Sequence, residues 1–183
     1  MGASPAVMGG EPMDYASSGV DIDAEGKAIS SLIDALGSSV RKAGQKGAPV
    51  PLPGGFGGIV EFGDSRLVLA TDGVGSKLQL ASQTGWLRGV GIDCIAMNVN
   101  DLIVEGAEPL FFLDYLGLSA VDPAKTADII ESVARGCEIA GCALIGGECA
   151  EMPDIYKPGD FDVAGFAVGV VELKRATDPT RIE

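Results

Sequence analysis

Two acidic residues stand where a charge is costly. Asp72 lies within Ala70-Thr71-Asp72-Gly73-Val74-Gly75-Ser76-Lys77, and Asp101 within Asn98-Val99-Asn100-Asp101-Leu102. Each interrupts an apolar or glycine-rich stretch, where a carboxylate needs a cation or a hydrogen-bond donor to meet it. Mg²⁺ takes oxygen ligands but only one or two protein carboxylates, with phosphates and water completing its octahedron. Asp72 and Asp101 supply that number, which makes a metal site beside phosphates one reading. A tight-turn acid and a solvated helix face are the other.

Further candidates surround them. After Asp72, the glycines Gly73 and Gly75 let the backbone turn and present N–H groups to a phosphate, and Lys77 adds a point charge. Asp93 lies two turns before Asp101. Glu148, in Gly146-Gly147-Glu148, is either a turn acid or a group that orients a substrate amine or a water. The run Gly54-Gly55-Phe56-Gly57-Gly58 is either a linker or a loop that closes over a nucleotide, with Phe56 as an apolar cover. Neither glycine segment matches G-x-x-x-x-G-K-[ST] or G-x-G-x-x-G, so P-loop and dinucleotide folds are not supported.

The bulk numbers exclude several classes. A net charge of -13 argues against nucleic-acid binding and against an anionic membrane surface. No apolar run is long enough to span a bilayer, and no leader segment is evident. The chain has no His, and Cys94, Cys137, Cys142 and Cys149 form no C-x-x-C pair, so a zinc site of ordinary spacing is not expected. Free thiols of this kind fit a reducing, cytoplasmic setting.

The elements that must position these residues follow from periodicity. Residues 1–20 are rich in small residues and read as a flexible N-terminal segment. Ile29, Leu32, Ile33, Leu36 and Val40 form one helical face, with Asp21 or Asp23 to cap it. Ile59–Phe62 and Leu67–Ala70 read as a strand pair around a Gly63-Asp64 turn, which places Asp72 just past a strand end. A helix from about 91 to 105 carries Asn98, Asp101 and Glu105 on one stripe, with Gly106 to end it. Leu110–Leu116 reads as a buried strand. Asp122-Pro123 opens a helix that runs to Gly141. A short strand at 143–145 and a long one at 161–173 complete the order. With 46% hydrophobic residues in 183, one core is expected. The fold class is α+β, a two-layer domain with helices on one face of a mixed β-sheet, over residues 21–175, followed by a tail at 176–183.

Six segments in order resemble the phosphoribosylformylglycinamidine cyclo-ligase family (aminoimidazole ribonucleotide synthetases). They are Gly19-Val20-Asp21-Ile22-Asp23-Ala24, Thr71 to Leu78, Gly91 to Leu102, Gly106 to Tyr115, Gly146-Gly147-Glu148 and Asp162 to Phe166. The resemblance runs from about Tyr15 to Glu172. It implies an enzyme of purine biosynthesis in which ATP phosphorylates the formyl amide oxygen of formylglycinamidine ribonucleotide, and the amidine nitrogen closes the ring as phosphate leaves. It also implies Mg²⁺ on Asp72 and Asp101, and nucleotide contacts from Gly54, Gly55, Phe56, Gly57, Asp72, Gly73, Lys77, Asp93 and Asn100. Glu148 and Asp101 fall near the reacting centre, and the partner is a second copy whose sheet pairs in a homodimer barrel. Family members are longer, with a second domain bearing a Gly-Pro-His-Ser-Asn-Gly-type loop. Glu25-Gly26-Lys27 and Ser76 depart from the usual pattern. The expectation is therefore the amino-terminal, MgATP-binding and dimerising half. Two alternatives are a catalytically incomplete dimerisation or nucleotide-binding module and another ATP-using relative.

Overall fold

A computed structural model of the chain describes Tyr15, Gly19 and residues 21–37, 39–50 and 58–178; at 32–34 and 36 it describes the backbone alone. Most of the 1–20 segment, the run Gly54–Gly57 and residues 179–183 of the tail lie outside the described residues. The chain divides into two compact units, residues 1–40 and 41–183. The first holds α1 (Ile22–Leu36). Of the two acids expected to cap it, Asp21 does so: its Oδ1 accepts the Ala24 N–H at 2.9 Å.

The second unit runs β1 (Gly58–Phe62), β2 (Ser65–Gly73), α2 (Lys77–Thr84), α3 (Val90–Ile103), β3 (Glu108–Leu118), α4 (Pro123–Ala140), β4 (Ala143–Glu151) and β5 (Phe161–Glu172). Its strands form one mixed sheet in the order β1-β2-β5-β3-β4. β5 is antiparallel to both β2 and β3, while β3 and β4 are parallel and joined through α4. The strands β2, β3 and β4 therefore point the same way, and the carboxyl end of β2 shares an edge with the start of β5.

Helices α3 and α4 pack on each other and on the sheet, and α2 touches β5. The core between the layers is built from Val68, Phe112, Leu116 and Val163 of the sheet against Cys94, Ile95, Leu102 and Val133 of the helices. This is the two-layer α+β arrangement that the periodicity indicates. On the opposite face, Leu67 and Leu113 are half-buried, Tyr115 is 38% exposed and Phe166 40% exposed.

Where α3 meets α4, two backbones nearly touch. A Cβ at Gly91 would lie 2.2 Å from the Val133 nitrogen. Because Gly89 precedes α3 without a side chain to cap it, the cap comes from α4. The Ser132 hydroxyl accepts the N–H of Gly91 at 2.9 Å and of Ile92 at 3.3 Å, and it donates to the Arg88 carbonyl at 2.7 Å. At α4 itself, Asp122 Oδ1 accepts from Ala124 and Lys125, with Pro123 in the first turn, as its sequence indicates.

At three places the structure differs from the sequence expectation. Residues 77–84 form a helix, α2, that periodicity did not reveal; it turns in through Gly75 and out through Gly85, both left-handed (φ 74° and 69°). Asp72 lies inside β2, paired with Gly165, rather than beyond a strand end. Gly146, Gly147 and Glu148 belong to β4, which continues to Glu151, so they form no turn.

Candidate functional site

The register places Asp72 in a single row across the sheet. Asp72 faces Gly165, Gly165 faces Asp114, and Asp114 faces Gly147. Residues directly opposite share a face, so both acids of the row point toward the helix layer. Gly165 is glycine because the Phe112 ring fills the space of its missing side chain; a Cβ there would lie 2.0 Å from Phe112 Cζ. Gly147 is glycine for a related reason, as its Cβ would sit 2.3 Å from Asp114 Oδ1.

Helix α3 runs alongside β2 and brings Asp101 to Asp72. The two line one cavity of about 560 Å³ along β2, together with Gly58, Leu69, Thr71 and Phe166. Gly58 directly follows the Gly54–Gly57 run. The Asp101 carboxyl is raised above its ordinary value, first by partial burial and then by the negative charge of Asp72. One oxygen of Asp72 is already engaged, because Oδ1 accepts the Gly73 N–H at 2.7 Å. Two facing carboxylates that repel one another fit a small divalent cation with oxygen ligands. Among the described residues, no cluster of three or more His, Cys, Asp or Glu could hold a metal, so phosphate and water oxygens would have to complete the shell.

Asn98 joins the two acids and was missed as a functional residue. In sequence it falls on the polar stripe with Asp101, but it is fully buried. Its Nδ2 donates to the Asp72 carbonyl at 3.3 Å and to the Cys94 carbonyl at 2.9 Å. Asp114 was also missed as a site residue, although its segment was noted. Burial raises its carboxyl, opposed by its own backbone N–H. The field of the acids reaches the buried Cys94 thiol, which is pushed up to about 12 by burial first and then by Asp114, Asp72, Asp162 and Asp93.

The other candidates are dispersed. Lys77 opens α2 and pairs with Asp93 of α3 at 2.6 Å; both side chains are about half exposed, so the pair contributes little to stability. Gly73 ends β2 opposite Ala164, and Asn100 is exposed on α3. Glu148 lies in the adjacent row, Gly73–Ala164–Tyr115–Glu148, and therefore on the other face of the sheet from Asp72. Three interstrand steps along this row amount to about 14 Å. Glu148 and Asp72 therefore cannot hold the same ion.

Comparison with known proteins places this geometry. The family model described as AIR synthase related protein, N-terminal domain, matches residues 54–171. A phosphoribosylformylglycinamidine cyclo-ligase of Cupriavidus necator is 47% identical over 186 residues, covering 100% of this chain and 51% of that protein. The chain thus spans about half the length of that relative. Among solved structures, AaThiL complexed with AMPPCP and TMP is similar with a TM-score of 0.58 and 23% identity, over 77% of this chain and 41% of that one. T. maritima PurL complexed with ADP is similar with a TM-score of 0.56 and 21% identity, over 71% of this chain and 21% of that one. These two likenesses show the fold.

Proposed function

We propose, from the premise that this chain belongs to the AIR synthase-related family through its N-terminal domain, that it binds ATP with a divalent cation in the cavity between β2 and α3. The observation that carries the reading is the pairing of Asp72 and Asp101 on one cavity wall, where burial and then the charge of Asp72 raise the Asp101 carboxyl. Mg²⁺ held there neutralises phosphate charge when bound. The residues of this chain do the rest. Asp72 offers its free oxygen, Asp101 its carboxylate, and Thr71 and Gly58 bound the cavity beside them. Lys77 reaches a phosphate only by leaving Asp93, which the solvent-exposed geometry of that pair allows at small cost.

The reaction we assign to this site is ATP-dependent ring closure of formylglycinamidine ribonucleotide to aminoimidazole ribonucleotide, in the cytoplasm; the similarity to a protein named phosphoribosylformylglycinamidine cyclo-ligase supports it. Its activation step depends on positioning and charge neutralisation more than on covalent chemistry by the protein. Glu148, about 14 Å along the sheet from the end of β2, stands as the candidate at the reacting centre. The half-buried apolar face around Leu67, Leu113, Tyr115 and Phe166 is the candidate surface for a second copy.

Titration calorimetry of ATP into the 183-residue chain, with and without Mg²⁺, tests the reading. Saturable binding that requires the cation is expected, and its loss on Asp101→Asn assigns it to this cavity. Binding that ignores both the cation and Asp101 would place the nucleotide elsewhere. Sedimentation of Phe166→Lys tests the second copy: the wild type is expected as a dimer and the variant as a monomer.

A further inference from the structure

We infer that Cys137 and Cys142 form a disulfide-forming modification site at the junction of α4 and β4, one that neither the family match nor the proposed nucleotide site uses. All four thiols of the chain are free. These two are held together by the way α4 ends. Gly141 adopts a left-handed conformation (φ 73°); its N–H bonds to the Glu138 carbonyl at 3.3 Å, and the Cys142 N–H bonds to the Cys137 carbonyl at 3.0 Å. That pair of bonds is the Schellman ending, in which the residue after the glycine commonly folds back onto the residue five positions earlier. Here both residues are cysteines, so the backbone bond sets both side chains at the same helix end, and burial, then the Cys142 side chain, push the Cys137 thiol up to about 12. Cys137 is buried in the α3–α4 core, whereas Cys142 packs on the core's rim and is only partly buried. One thiol is open to a reagent, and the other waits behind it.

The geometry sets the order of events. Hydrogen peroxide reaches the Cys142 sulfur, whose electron pair breaks the O–O bond to give Cys142–SOH and water. The Cys137 sulfur then attacks that sulfenic sulfur, its proton leaves with the hydroxyl as a second water, and the S–S bond forms. Two thiols are oxidised by two electrons in all, and one peroxide is reduced to two waters. The Cys142-to-Cys137 backbone hydrogen bond already holds the two residues against each other before any sulfur reacts. Cys149 is exposed on β4, and Cys94, buried on α3, is near enough to raise the Cys137 thiol but is not joined to it by the helix ending.

The test uses the full chain carrying Cys149→Ser, which removes the exposed thiol and leaves three of the four cysteines. After one equivalent of hydrogen peroxide, the protein is unfolded and its thiols are alkylated. Alkylation is expected to fall from three groups to one, at Cys94, with the 136–174 tryptic peptide lighter by two hydrogens and joined internally. Adding Cys142→Ser, a change at the rim that leaves the core intact, is expected to restore labelling of both Cys94 and Cys137. The inference is overturned if Cys142 accumulates as sulfinic acid while Cys137 still alkylates, or if Cys137 pairs with Cys94. It is overturned equally if all three thiols survive the peroxide.

Discussion

Asn98 holds Asp72 by its backbone: Nδ2 donates to the Asp72 carbonyl at 3.3 Å from a residue that is fully buried one turn before Asp101. The same amide nitrogen bonds to the Cys94 carbonyl at 2.9 Å, so a single side chain ties the end of β2 to the helix that carries the second acid. Its Oδ1 meets no donor. Asn98→Ala removes the tie and opens a core cavity. It is expected to cost about 2–3 kcal/mol of stability in a denaturant titration and to weaken Mg²⁺-dependent nucleotide binding. Unchanged affinity in a folded Asn98→Ala protein would show that Asp72 is held by β5 alone.

Asp72→Asn separates the charge of Asp72 from its shape. Because Asp72 helps raise the Asp101 carboxyl, the substitution is expected to lower that carboxyl toward its ordinary value. An NMR titration of the carboxyl carbons reads this without any metal present. Mg²⁺-dependent ATP affinity is expected to fall roughly 10- to 100-fold, the range seen when a metal site loses a supporting group.

Acid weakens the site earlier than an ordinary aspartate would. A raised carboxyl holds its proton at pH values where a free aspartate has lost it, and a cation must displace that proton to bind. Apparent Mg²⁺ affinity is therefore expected to decline as pH falls through the raised value of Asp101, above the ordinary 3.8. For folding the sign is opposite. A carboxyl whose folded value is raised binds more protons folded than unfolded, so its contribution is full below the unfolded value and is lost as pH rises through the folded one. Asp114, raised by burial, behaves likewise. Asp114→Asn is thus expected to flatten the fall in melting temperature across that acidic window and to raise stability above it, as followed by calorimetry.

The Ser132 hydroxyl serves three backbone groups at the start of α3. Ser132→Ala leaves two N–H groups without their acceptor and is expected to cost about 1–2 kcal/mol. Amide hydrogen exchange at Gly91 and Ile92 should quicken first. A loss spread evenly through the fold would count against a capping role.

Much of this architecture was readable because its elements are long and one-sided. α4 announces itself through Asp122-Pro123 and Gly141, and β5 through an unbroken β-prone run. α2 was missed because eight residues bury only Leu78 and Ala81, too few to display a period. β4 was cut short because Gly146-Gly147 reads as a turn, whereas Gly147 is needed for the Asp114 carboxylate to lean across. The pairing of Asp72 with Asp101 followed from residue type, but the fixed relation between them did not. It depends on Asn98, whose polarity suggests solvent until its two carbonyl partners are known. Glu148 could not be placed from spacing, since the face it occupies is set by a strand register with a shift between Phe112 and Leu113.

The cap that Ser132 supplies also has a consequence in time. Ser132 follows Gly91 by 41 residues, and Gly165, which anchors Thr71 and faces Asp72, follows Thr71 by 94. At roughly 5–20 residues per second of synthesis, α3 waits about 2–8 s for its cap, and β2 waits about 5–19 s for its neighbour. During that interval the two acids belong to a nascent chain with no fixed distance between them. The cavity they share forms only once β5 has been made, and a chain stalled before β5 would carry both carboxylates and no site.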